Sequence, residues 1–210
     1  MTKTHDPLKV NTTDRFGIFG QPGTGKTKFV QYLATMVSES RLMIYDPLDQ
    51  YTQFPDRCRV VPADINPLEE FDAFSKQMMA RRNVTVFVEE AQQYLPEGQR
   101  IGPNTLAMLN RGRNFGVGVF VCSQRIQDIT KRFFDLAQTV VFFRCGFTSR
   151  RYIRELVPEV AARINKLRDR HFLYFNLRTE DWNVSMLKFP EDRAPADGAI
   201  PATVHVEAVP

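Results

Sequence analysis

Eight consecutive residues, Gly20-Gln21-Pro22-Gly23-Thr24-Gly25-Lys26-Thr27, match the phosphate-binding template G-x-x-x-x-G-K-[ST] at every specified position. The three glycines let the backbone wrap closely around a polyphosphate, where a Cβ would clash. Successive N–H groups then point at the phosphates from a loop that runs into a helix N-terminus. Lys26 would reach the β- and γ-phosphates, and the Thr27 hydroxyl would hold Mg²⁺. The implied chemistry is binding of a nucleoside triphosphate.

Two further places could act on that ligand. Val84-Thr85-Val86-Phe87-Val88 ends in Glu89-Glu90. Adjacent carboxylates at the end of a buried strand are costly without a cationic partner. Ligands of open α/β sheets sit off the carboxyl ends of the strands. Glu89 would therefore meet the Mg²⁺ of the nucleotide, and Glu90 would point on towards the attacking water. Gly116–Cys122 is another apolar run and ends at Ser123-Gln124-Arg125. Gln124 would lie in the same crevice, able to sense the γ-phosphate or orient water.

The elements that must position these residues follow from apolar spacing. Arg15–Phe19 reads as a strand leading into the glycine loop. Phe29, Val30, Leu33, Met36 and Val37 recur at helical spacing after it. Arg41–Tyr45 reads as a second strand, stopped by Pro47, and Cys58–Val61 as a short one. Pro67 opens a helix, and Asn104–Arg113 and Ile129–Leu136 read as two more. Thr139–Phe143 is a fifth buried strand. Tyr152 to Leu167 carries helical spacing, and His171–Leu177 with Trp182–Leu187 reads as a closing hairpin. The alternation predicts a doubly wound α/β sheet within a single domain over residues 15–189. Its core spans 15–145, and 146–189 forms a helical and hairpin appendage. Residues 1–14 read as a polar lead-in arm, and 190–210 as a Pro- and Ala-rich tail, flexible or strapped onto a neighbour.

Composition bounds the rest. At 210 residues, 43% apolar and 25% charged, the chain suits one globular domain. No uninterrupted apolar stretch approaches the roughly 20 residues that span a bilayer, and the polar start is not a signal peptide. Cys58, Cys122 and Cys145 are widely spaced and read as buried thiols of a reducing compartment, with cytoplasm the default. No metal site built from His and Cys is expected. Net charge is +4, but Arg100 to Arg170 holds 14 Lys and Arg against 5 Asp and Glu. Such a concentration suits either a nucleic-acid face or a solvated surface.

Three stretches resemble the FtsK/HerA group of P-loop ATPases, the DNA-pumping motors. Ile44-Tyr45-Asp46-Pro47-Leu48-Asp49-Gln50-Tyr51 is similar to that group's I-x-D-P-x-G-E-Y. Val86-Phe87-Val88-Glu89-Glu90-Ala91-Gln92-Gln93-Tyr94-Leu95-Pro96 is similar to its hydrophobic-D-E-A-H-x-x-L-P. Arg111-Gly112-Arg113-Asn114-Phe115-Gly116-Val117-Gly118, leading to Ser123-Gln124-Arg125, is similar to its R-x-x-G-hydrophobic…[ST]-Q-R-P. The chain departs from these patterns in Glu89 for Asp, Asp49-Gln50 for Gly-Glu and Ile126 for Pro. The longer Glu89 can still reach Mg²⁺ through a water.

The resemblance implies a RecA-like P-loop NTPase core, a mainly parallel sheet flanked by helices, using ATP and Mg²⁺ to translocate double-stranded DNA. It implies a homo-oligomeric ring, a hexamer, in which Arg113 or Arg111 acts as an arginine finger on the neighbouring subunit, with Arg144 next in line. Arg125, Lys131 and Arg132, just past the Gln124 strand, are the candidate DNA contacts. A bare motor of this size looks most like the genome-packaging ATPases of tailless, membrane-containing icosahedral viruses. Such an enzyme would work in the host cytoplasm or docked at a virion vertex, with a capsid, portal or membrane protein as partner. Two other readings share the nucleotide site. One is an ATPase that drives assembly or secretion of a protein cargo. The other is a small kinase, against which Glu90 and Gln124 argue.

Overall fold

The computed structural model describes residues 2–3, 8–187 and 203–206. Its strands are β1 (Thr2–Lys3), β2 (Leu8–Asn11), β3 (Arg15–Phe19), β4 (Leu42–Tyr45), β5 (Arg59–Val60), β6 (Thr85–Val88), β7 (Gly118–Ser123), β8 (Thr139–Phe142), β9 (His171–Asn176), β10 (Asp181–Met186) and β11 (Thr203–Val206). Its α-helices are α1 (Lys26–Thr35), α2 (Pro67–Arg81), α3 (Pro103–Arg111), α4 (Lys131–Leu136), α5 (Phe147–Leu156) and α6 (Pro158–Ile164).

Nine strands form one sheet in the order β1-β10-β9-β8-β3-β7-β6-β4-β5, and β11 pairs with β2 in a separate two-stranded sheet. From β8 to β5 every pairing is parallel. The predicted apolar runs are continuous because both faces of these strands are covered. Alternate residues divide between two cores. Phe16, Ile18, Ile44, Phe87 and Phe120 pack with Phe29, Val30 and Leu33 of α1. Phe19, Tyr45, Val86, Val88, Val119 and Val121 pack with residues of α2 to α6. Ring contacts carry across the strands on the α1 side, with Phe120 stacked on Phe16 (centroids 5.2 Å apart) and tilted against Phe87 (4.8 Å).

The fold is the expected α/β class, a mainly parallel sheet flanked by helices, with differences of detail. The helical stretch from 152 to 167 is two helices. Val157 leaves the helical region (φ −143°, ψ 78°) ahead of Pro158, which opens α6; the residue before a proline is pushed out of that region. The closing hairpin does not stand apart, because β9 pairs antiparallel with β8 and extends the main sheet. Residues 1–14 contribute β1, parallel to β10, and β2, whose Leu8 and Val10 are buried. Within the Pro- and Ala-rich tail, Thr203–Val206 lies antiparallel to β2, while the rest of the tail, 190–202 and 207–210, lies outside the described residues. Among the described residues no helix is long and apolar enough to cross a membrane.

Candidate active site

β3, β7 and β6 lie side by side with their carboxyl ends on one edge. Phe19 stands opposite Ser123, and Val121 opposite Val88. The glycine loop, the Gln124 strand end and the carboxylate pair therefore open into one crevice, with β7 between the other two.

The loop is fastened on three sides. Gly20 N–H reaches Ser123 O (3.4 Å), Gln21 N–H donates to Arg144 O (2.9 Å), and Arg170 N–H donates to Thr24 O (3.3 Å). Gly20 is required by closeness, since a Cβ there would lie 2.6 Å from Phe143 Cβ. Gly25 caps α1 with φ 108°, a left-handed conformation that side chains resist. The first turn of α1 holds no acidic residue, so its positive end is free to favour an anion. Thr24 Oγ1 donates to Gln21 O (2.7 Å), as does the nearly buried Lys26 Nζ (3.1 Å).

Glu89 and Glu90 part at a sharp turn, because Glu90 adopts φ 46° as the chain enters the short Ala91–Gln93 turn. Glu89 is 7% exposed and points inward. Its Oε1 accepts the Tyr51 hydroxyl, and Tyr51 is itself held by its N–H to Asp46 Oδ2 at 2.9 Å. Burial pushes the Glu89 carboxyl above its ordinary range, against the Tyr51 hydrogen bond and the Lys26 charge, which favour ionisation. Tyr51 is pushed well above the usual phenol range by burial and by Glu89.

Glu90 faces β7. Its Oε1 accepts Gln124 Nε2 at 3.1 Å and its Oε2 accepts Gln92 Nε2 at 2.6 Å. Gln92 in turn accepts the buried Ser123 hydroxyl at 2.7 Å. A cavity of about 280 Å³ lies between loop and strand end, lined in part by Gln21, Pro22, Gln124, Arg125 and Ser149. The structure thus brings Lys26, Glu89, Glu90 and Gln124 to one crevice. It adds Tyr51, Gln92 and Ser123, to which sequence reasoning assigned no role. All three stood in the stretches that resemble family motifs, Tyr51 at the end of the first, Gln92 in the second and Ser123 in the third.

A hydroxyl and a carboxylate are hard oxygen donors suited to Mg²⁺, which is commonly held by one or two carboxylates plus substrate phosphates. Thr27 and Glu89 are of those types, and the buried Asp46 Oδ1, linked to Glu89 through Tyr51, lacks a protein partner.

Among the basic candidates, Arg125 lines that cavity, and Arg144, whose carbonyl holds Gln21, pairs its guanidinium with Asp169 (3.0 Å); the others lie elsewhere. Arg111 ends α3, and Arg113 lies in the Gly112–Phe115 turn ahead of β7. Arg113 acts electrostatically on Asp14 and Arg15, at the amino end of β3. The phosphate loop is at the other end, about 16 Å away for five residues at roughly 3.3 Å each. Arg125 pairs with Asp128 (3.8 Å) and Lys131 with Glu97 (3.6 Å), both exposed, while Arg132 is exposed beside them.

No protein-family model matches the chain, and no curated protein matches it. Solved structures do. The genome packaging NTPase B204 from Sulfolobus turreted icosahedral virus 2, in complex with ATP-gammaS, matches with TM-score 0.73 and 17% identity over 83% of this chain and 98% of that one. B204, the DNA-packaging ATPase from Sulfolobus turreted icosahedral virus, matches with TM-score 0.71 and 16% identity over the same shares. The N-terminal domain of zonular occludens toxin from Neisseria meningitidis matches with TM-score 0.50 and 18% identity over 85% and 96%. The chain shares the P-loop NTPase fold of these proteins.

Proposed function

We propose that the protein is an ATPase that translocates double-stranded DNA, packaging a viral genome into a preformed capsid. The observation that carries this reading is the convergence of the phosphate loop, Glu90 and Gln124 at three adjacent strand ends. The shared fold with viral packaging NTPases and the three FtsK/HerA-like motifs support it.

ATP binds along Gly20–Thr27, with Lys26 on the β- and γ-phosphates. Thr27 and Glu89 would hold Mg²⁺, which would supply positive charge to the phosphate oxygens. Glu90 orients and deprotonates the in-line water. Gln124, hydrogen-bonded to Glu90, reports the γ-phosphate along β7 towards the DNA-facing surface. Arg111 and Arg113 lie too far from their own loop to serve it, which supports completion of the site by a neighbour in a ring, a hexamer, with one of them as the finger. A finger of this kind contributes around 10³–10⁵ in rate, so isolated subunits hydrolyse ATP slowly. DNA is gripped through its phosphates, without sequence choice, by Arg125, Lys131 and Arg132. The motor docks at a capsid vertex.

The test is ATPase turnover with and without double-stranded DNA, read beside the mass of the assembly. DNA-stimulated turnover in a ring is expected. Its absence in every assembled state would remove the packaging reading. Stimulation by a protein cargo instead would support the assembly or secretion reading, which uses the same nucleotide site.

A further inference from the structure

Arg15 opens β3 and is 2% exposed. Its guanidinium donates to four backbone carbonyls: Met108 (2.7 Å), Leu109 (3.0 Å), Thr13 and Val117 (both 3.1 Å). Met108 and Leu109 belong to the last turn of α3, where the helix dipole favours a cation; Met108 O accepts the capping Gly112 N–H as well as Arg15. Val117 directly precedes β7. Between these anchors lies the segment that carries Arg111 and Arg113.

The far side of that segment is also held. Asn83 N–H donates to Phe115 O at 2.9 Å, and the Arg82 guanidinium sits 5.0 Å over the Phe115 ring. Gly112 has helical backbone that any residue could adopt (φ −54°). A Cβ there, however, would lie 2.9 Å from Arg15 Nη2. Burying a cation carries a desolvation penalty, visible in an Arg15 pKa lowered to about 10. An apolar side chain would fill the same space without it. What the guanidinium adds is a rigid fork that sets the direction of several groups at once.

We propose that Arg15 is a positioning residue for the arginine, Arg111 or Arg113, that each subunit presents to its neighbour's nucleotide site. One strand, β3, then holds the subunit's own phosphate loop at its carboxyl end and steadies the outgoing finger from its amino end. This rests on the shared site proposed above.

The experiment uses the assembled full-length protein and compares Arg15→Met and Gly112→Ala, alone and combined with whichever of Arg111→Ala and Arg113→Ala lowers turnover. Misplacement of a reacting group by about 1 Å can cost 10²-fold. Arg15→Met and Gly112→Ala should each lower kcat about 10²-fold, with ATP affinity and assembly mass unchanged, and cost nothing more once the finger is gone. An equal loss in the finger-less background would assign Arg15 to the fold alone and overturn the proposal. So would unchanged kcat in both variants. If Arg15→Met fails to assemble, Gly112→Ala decides, because it crowds the same contact without removing the charge. If neither Arg111→Ala nor Arg113→Ala affects turnover, the shared-site reading fails first and the positioning role falls with it.

Discussion

Gln124 donates a hydrogen bond from Nε2 to Glu90 Oε1 at 3.1 Å, tying the residue just past β7 to the second residue past β6. The two are 34 residues apart in sequence and meet because β7 lies directly beside β6. In the proposed mechanism this joins the side chain that senses the terminal phosphate to the carboxylate that activates water.

Glu90→Gln should abolish steady-state hydrolysis while leaving nucleotide binding intact. Loss of a positioned general base costs about 10²–10⁴ in rate. Gln124→Ala should lower turnover less, and should weaken the response of hydrolysis to DNA. Single-turnover kinetics beside equilibrium binding of an ATP analogue separates the two effects.

Tyr51→Phe removes the hydroxyl that Glu89 accepts. A buried carboxylate left without that donor loses about 1–3 kcal/mol, so the variant should melt earlier. The Mg²⁺ concentration needed for half-maximal nucleotide binding should also rise, because Glu89 is no longer held in place. A magnesium titration followed by nucleotide fluorescence checks this. Unchanged magnesium dependence would leave Tyr51 with a packing role only.

Asp14 is 4% exposed, and burial raises its carboxyl above the ordinary carboxylate range. The folded state then binds its proton more tightly than the unfolded chain. This group's contribution to stability therefore falls as pH rises above about 4. Asp14→Asn removes that slope, so the stability gap between variant and parent should widen in the variant's favour from pH 4 towards neutrality. Chemical denaturation at several pH values measures it.

Arg132 and Lys131 should differ in their effect on DNA binding. Lys131 is tied to Glu97 by its N–H (2.9 Å) and its ammonium (3.6 Å). Each phosphate contact contributes about 0.9 to the log–log salt slope on duplex DNA. Arg132→Ala should flatten the slope by about that amount, and Lys131→Ala by less. Equal slopes in parent and Arg132→Ala would move the DNA contact elsewhere.

The sequence by itself determined the strand–loop–helix order around Gly20–Thr27 and the run of buried strands. These are local: glycine tolerance, β-branched runs and helical spacing act over a few residues, and both faces of a covered sheet demand continuous apolar stretches. The carboxylate pair at the end of β6 was legible for the same reason. Only the tertiary structure decided that β7 lies between β3 and β6 and that Tyr51 reaches Glu89 across 38 residues. It alone put Arg15 under the segment bearing Arg111 and Arg113. Those relationships depend on which strands become neighbours, and that is set by burial summed over the whole sheet. An arginine opening a strand looks the same in sequence whether it meets water or four carbonyls; the end of α3, Thr13 and Val117 converging on it make it the latter.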